Sequence, residues 1–205
     1  MIQAVLFDLD GVLVDAREWH YEALNEALSI FGFSILREEH DSFYNGLPTF
    51  KKLGRLTEDK GLPQSLHEFI YELKQIYTSR YIVNHTRPDT VKMLMMQGLK
   101  NLGLKLALCS NCSVDTATTM LQKSLLLPYF DLVLTNADVP LNKPSPDIYL
   151  KALACLQLRP EEALAVEDSP HGIASARAAG IPVITVRSAA EVYLGIFKNH
   201  LPGVS

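Results

Sequence analysis

Ala4-Val5-Leu6-Phe7-Asp8-Leu9-Asp10-Gly11 is the stretch that decides the fold. A short apolar run ends in two carboxylates spaced two residues apart, with a glycine behind them. Residues i and i+2 of a strand point the same way. Asp8 and Asp10 are therefore expected to leave the strand end together, aimed at one spot. Like charges held close and half-buried repel and shift each other's pKa, which a fold tolerates where a metal ion or a reaction uses it. Taken alone, Asp-x-Asp reads equally well as a strand followed by an acidic turn.

Four further apolar runs, at 104–109, 132–134, 163–166 and 183–186, have the same character and read as buried parallel strands. Helical patterns lie between the later ones. Residues 114–125 carry Ala117, Met120, Leu121 and Leu125 at helical spacing. Residues 147–156 follow Pro146, a frequent first helical residue. Residues 172–179 are alanine-rich and stop at Gly180. Strands alternating with helices predict an α/β fold with a doubly wound parallel sheet, whose ligands sit at the carboxyl ends of the strands. Asp8 and Asp10 fall at such an end.

The stretch from Asp15 to His85 differs. Leu24, Ala27, Leu28 and Phe31 keep helical spacing, as do Leu66, Phe69, Ile70, Leu73, Ile76 and Tyr77. Gly32, Asn45-Gly46-Leu47-Pro48 and Gly61-Leu62-Pro63 punctuate it as turns. It reads as a helical bundle inserted after the first strand, with His85-Thr86-Arg87-Pro88 as the return linker. The expected division is a core of 1–14 and 86–205 and a helical cap of 15–85. Two chain crossings make a natural hinge, so the insert is either a lid over a cleft or a helical subdomain that stays in place.

Composition narrows the class. With 19 basic and 23 acidic residues the net charge is -4, not the basic balance of a nucleic-acid binder. No run of 18 apolar residues is present, so no membrane span is expected. The chain enters its first strand without a leader-like segment, which with the sparse cysteines points to a cytoplasmic protein. Cys109 and Cys112 form C-x-x-C, either a reduced structural pair or a redox or zinc motif. Trp19, Tyr21 and the apolar stretch 193–197 could pack internally or make contacts; a monomer is expected.

Three more polar features follow strand runs. Ser110-Asn111 can donate hydrogen bonds to an anion near a helix start, or simply cap that helix. Lys143 lies between Asn142 and Pro144 in a loop that two prolines stiffen. Glu167-Asp168-Ser169 offers acidic oxygens of the kind Mg²⁺ prefers, or merely complements a helix dipole. In order and placement, Asp8-Leu9-Asp10-Gly11-Val12-Leu13-Val14-Asp15, Ser110-Asn111, Lys143 and Glu167-Asp168 resemble the four motifs of the haloacid dehalogenase-like (HAD) hydrolase superfamily. The stretches 143–149 and 167–176 extend the likeness, and the helical insert is similar to the cap of the phosphoglycolate phosphatase and β-phosphoglucomutase branch.

The resemblance implies a Rossmann-like core and a Mg²⁺-dependent phosphatase acting on a small phosphorylated metabolite, such as a sugar phosphate. It assigns the nucleophile to Asp8, which would form an aspartyl-phosphate, and proton transfer to Asp10. Ser110, Asn111 and Lys143 would hold the phosphoryl group. Mg²⁺ would bind the Asp8 carboxylate, the Asp10 backbone carbonyl and the Asp168 carboxylate, with Glu167 as a further ligand or an orienting neighbour. His20 is similar to a histidine that positions acid and sugar in the mutases, and is equally a plain helix residue. Mutases of that group carry a basic residue just after the glycine matched by Gly46; Pro48 and Thr49 offer no charge there. Helical spacing could turn Lys51, Lys52 and Arg55 to solvent. Ala16 also stands where a threonine is common. Hydrolysis is therefore favoured over a phosphosugar mutase, and a non-catalytic binding or regulatory protein is a third possibility that the intact acids and Lys143 oppose.

Overall fold

A computed structural model describes residues 1–44 and 47–204. The chain forms two compact units, Met1–Asp15 with Thr86–Ser205, and Ala16–His85. The Asn45-Gly46 part of the expected turn lies outside the described residues.

The first unit is built on five parallel strands: β1 (Ala4–Phe7), β2 (Lys105–Cys109), β3 (Leu132–Leu134), β4 (Ala163–Glu167) and β5 (Val183–Thr185), in the order β3-β2-β1-β4-β5. The chain winds outward from β1 through β2 to β3, then returns to the other side of β1 for β4 and β5. The β1–β4 boundary is thus the switch point at which such sheets bind ligands. Register aligns Phe7 with Leu108 on one side and with Val166 on the other. The next residue of each strand path is Asp8, Cys109 or Glu167, so these three end up side by side at the carboxyl edge.

Burial on both faces explains the uninterrupted apolar strands. Alternate residues Ala4 and Leu6 share one core with Ala107, Ala165, Ile148, Tyr149 and Ala176. Asp8 continues their parity, so its side chain issues on the same face. On the other face Phe7 meets Phe130 and Phe197 edge-on, with centroids 6.3 and 6.2 Å away. The stretch near 193–197 therefore packs internally through Phe197, while Tyr193 is exposed.

The second unit is all-helical: α1 (Arg17–Ser29), a short turn α2 (Arg37–Glu39) running into a π-helical turn (His40–Tyr44), α3 (Thr49–Lys60) and α4 (His67–His85). Leu24, Ala27, Leu28, Ile35, Leu53, Leu56 and Ile70 form its core. Helices α5 (Thr90–Asn101), α6 (Val114–Lys123), α7 (Asp147–Leu156) and α8 (Pro170–Ala178) belong to the first unit. The periodicity above does not single out α5, although Asp89 caps it by accepting from the Val91 and Lys92 N–H groups. Several boundaries differ from expectation by a residue or two, and two of them bear on the site. Helix α8 starts at Pro170, because Ser169 caps it by accepting from Gly172 N at 3.0 Å. β4 runs on through Glu167, whose carbonyl accepts from Val186 N at 2.9 Å, so this acid is a buried strand residue. Among the described residues no helix is long and apolar enough to cross a membrane.

Candidate active site

The strand edge explains why the site forms where it does. Asp8 follows β1 directly and its N–H donates to Val166 O at 3.1 Å. Chain direction then reverses sharply: the Leu13 and Val14 N–H groups both return to Leu9 O, at 2.9 and 3.0 Å. Gly11 sits in this turn at φ +84°, a left-handed conformation that side chains resist. A Cβ on Gly11 would lie 2.0 Å from Asp168 Oδ2, so the turn can approach that acid only as glycine. Asp10 is partly exposed beside this turn, with Leu9 fully buried between it and Asp8.

Lys143 organises the centre. Its ammonium donates to Asp8 Oδ1 at 2.6 Å, Glu167 Oε1 at 2.5 Å and the Cys109 carbonyl at 2.7 Å. These acceptors stand at the ends of three neighbouring strands, and they use all three ammonium hydrogens. The lysine loop is fixed from the backbone as well: Asn111 Nδ2 donates to Lys143 O at 3.2 Å, and Lys143 N donates to Asn111 Oδ1 at 3.0 Å. The Lys143-Pro144 peptide is cis.

Charge and burial decide the protonation states. Burial opposes the Lys143 charge, but Asp8 and Glu167 outweigh it and hold the ammonium well above its usual pKa. Burial raises Asp8, against the pull of Lys143. Glu167, fully buried, is pushed up to about 7 by burial and by the Asp8 charge, with Lys143 opposing. Its Oε1 also accepts from the Tyr149 hydroxyl at 2.6 Å, while Oε2 is buried with no hydrogen-bond partner.

Asp8, Glu167 and Asp168 bring ligand atoms within 4.8 Å of one another. Lys143 pairs with two of these carboxylates, Asp8 and Glu167. An all-oxygen donor set with an unpartnered, buried carboxylate oxygen suits a hard divalent cation. The residues present thus fit the metal expected from sequence.

The remaining expected residues divide. Ser110 is buried next to Cys109; its N–H goes to Leu134 O at 3.0 Å and its hydroxyl lies 3.1 Å from Cys112 Sγ. Asn111 directs its side-chain amide to the Lys143 backbone, so here it steers the lysine loop. His20 belongs to the helical unit, where its Nδ1 lies 3.2 Å from Lys74 Nζ. In that unit Lys51 is exposed and Arg55 reaches Asp59 at 3.3 Å. Lys52 instead turns inward, to 3.4 Å from His40 Nε2. The three cysteines are free. Burial pushes the Cys109 and Cys112 thiols up to about 12, which disfavours the thiolate that redox or zinc chemistry needs. Tyr149, Gly172 and the Cys109 carbonyl had no assigned role in the sequence. Register with β1 would have pointed to the carbonyl, whereas Tyr149 reads as one more apolar helix position.

A doubly wound sheet with an acid–lysine–acid cluster at its switch point defines an α/β enzyme. Residues 5–186 match the family model described as haloacid dehalogenase-like hydrolase. Protein CbbY of Cereibacter sphaeroides is 31% identical over 196 residues, covering 90% of this chain and 84% of that protein. The phosphorylated carbohydrates phosphatase of Thermotoga maritima is 31% identical over 183 residues, covering 88% and 82%. The crystal structure of CbbY from Rhodobacter sphaeroides in complex with phosphate aligns with a TM-score of 0.77 at 26% identity, covering 95% of this chain and 92% of that one. The chain belongs to the haloacid dehalogenase-like hydrolase family.

Proposed function

We propose that this chain is a Mg²⁺-dependent phosphatase that hydrolyses a small phosphorylated metabolite, of the sugar phosphate class, through an aspartyl-phosphate. The observation that carries the reading is the Lys143 ammonium held between Asp8 and Glu167 at the switch point of the sheet. It places a fixed positive charge beside the carboxylate best placed to attack phosphorus.

In this reading an Asp8 oxygen forms the new bond to phosphorus as the ester oxygen departs. Asp10 gives its proton to the departing alcohol, then takes one from the water that cleaves the aspartyl-phosphate, which returns both acids to their starting states. One acid must be ionised while the other is protonated, and the Lys143 ammonium 2.6 Å from Asp8 Oδ1 favours the ionised form of Asp8. Lys143 offsets charge on the nucleophile and the phosphoryl oxygens, and Ser110 supplies a hydroxyl donor. Mg²⁺, held by the Asp8 carboxylate, the Asp10 backbone carbonyl and Asp168 with Glu167 beside them, would supply charge neutralisation for phosphoryl transfer. The names of the phosphorylated carbohydrates phosphatase and of the phosphate-bound CbbY structure support a small phosphorylated substrate.

The test is phosphate release from p-nitrophenyl phosphate and a panel of sugar phosphates, with and without Mg²⁺. Wild-type protein is expected to turn over only with the cation, and Asp8→Asn to be inactive. No release by the wild type, or equal release by Asp8→Asn, would overturn the proposal. His20, beside Lys74, keeps a phosphosugar mutase as the second reading. Formation of glucose 6-phosphate from β-glucose 1-phosphate and a bisphosphate activator would establish it.

A further inference from the structure

The two oxygens of Glu167 have different surroundings. Oε1 accepts from both Lys143 Nζ and the Tyr149 hydroxyl, at 2.5 and 2.6 Å. Oε2 accepts nothing, although it is fully buried. A buried carboxylate oxygen left without a partner is costly, so the fold must prevent the group from turning to satisfy it. Lys143 alone is a poor anchor, because its other two hydrogens are committed to Asp8 and Cys109. It must also offer a hydrogen to a bound phosphoryl group. Tyr149 has no competing acceptor in this set. Its fully buried ring sits in the α7 core with the Lys143 ammonium 5.1 Å from its centroid, so the hydroxyl is held by packing.

We propose that Tyr149 is a positioning residue: its hydroxyl pins Oε1 of Glu167 and keeps Oε2 free for the cation. The inference rests on the Mg²⁺ site proposed above and adds a specific orienting partner to it. Such outer partners of metal ligands tune affinity strongly.

The experiment compares wild type, Tyr149→Phe and Asp168→Asn by isothermal titration of Mg²⁺ into metal-free protein, and follows phosphate release across Mg²⁺ concentrations. Phenylalanine keeps the buried ring and removes only the hydroxyl. Tyr149→Phe is expected to bind Mg²⁺ about tenfold more weakly, with turnover restored to near wild type once Mg²⁺ saturates. A purely structural role would not be rescued by the cation. Wild-type Mg²⁺ affinity in Tyr149→Phe, with binding lost in Asp168→Asn, overturns the role of Tyr149 and leaves the metal site standing. Turnover of Tyr149→Phe that stays low at saturating Mg²⁺ also overturns it. Absence of Mg²⁺ binding by the wild type overturns both.

Discussion

Gly172→Ala should destabilise the first unit, against the usual sign of such a change. Gly172 lies in the first turn of α8, and alanine is favoured over glycine in a helix by about 1 kcal/mol. A Cβ there, however, would stand 2.0 Å from Glu167 Oε2 and 2.2 Å from Oε1. The carboxyl group would have to move by about an ångström or more to reach ordinary contact. It cannot do so while keeping the Lys143 and Tyr149 bonds to Oε1. Bonds to a charged group contribute about 1.5–3 kcal/mol each. Losing one or both, less the helix gain, leaves a net destabilisation of about 0.5–5 kcal/mol. Urea unfolding followed by far-UV circular dichroism measures it, and a phosphate-release assay on the same samples should show reduced turnover. A variant as stable as wild type, or stabilised by the full helix gain, would show that Glu167 is not fixed where it is placed and would refute the reasoning.

Gly54→Ala is the converse case: a Cβ inside α3 meets nothing within 4 Å, so the helical unit should gain about 0.5–1 kcal/mol. Trp19, the sole tryptophan, lies in that unit and its fluorescence reports the shift; no gain would count against an open site. Asn111→Ala should lower kcat by about tenfold through misplacement of Lys143, with an unchanged circular dichroism spectrum; a rise in KM alone would mean that the amide binds substrate instead. Asp131→Asn tests charge. Burial works to raise Asp131, but Lys100 and the Leu106 N–H outweigh it and hold its pKa below the usual value. A depressed carboxyl pKa stabilises the fold above the unfolded value and loses that contribution as pH falls through the folded one. With the group partly exposed, the variant should lose about 1 kcal/mol at pH 7, and the gap to wild type should close as pH drops below about 4. A gap constant with pH would contradict the ion pair.

The parallel sheet was legible because its strands are buried on both faces. A strand with two dry faces must be apolar throughout, and the runs at 4–7 and 163–166 stand out against their surroundings for that reason. Helix α5 was not legible. Its buried positions Met95, Met96 and Leu99 share the segment with exposed Val91 and Leu94, so apolarity and burial diverge and the periodic signal blurs. Strand ends were less legible than strand centres. Glu167 reads as a loop acid, because burying a carboxylate at a strand terminus makes sense only once Lys143 and Tyr149 are known to meet it.

The candidate site shows the same division between what local spacing can carry and what topology must supply. Asp8, Lys143 and Asp168 stand out because acids and a lysine after strand ends belong to a recognisable set of motifs, and the register of β2, β1 and β4 lines up the three strand ends that Lys143 joins. Spacing could not tell which side chains act on the substrate and which hold those that do. Asn111 reads as an anion donor in a Ser-Asn pair, yet its amide faces the lysine loop, 32 residues on in the chain. Tyr149 reads as core and is core, yet its hydroxyl ends on the buried acid. Gly172 reads as a small residue in an alanine-rich helix, yet the space above its Cα is filled by a carboxylate. Each of these three residues touches Lys143 or Glu167, and two of the contacts, from Asn111 and Tyr149, join residues far apart in the chain. The residues that hold this site together are therefore the ones whose chemical types are least diagnostic, and substitution at them separates a site assembled by fold geometry from one that merely carries the right motif letters.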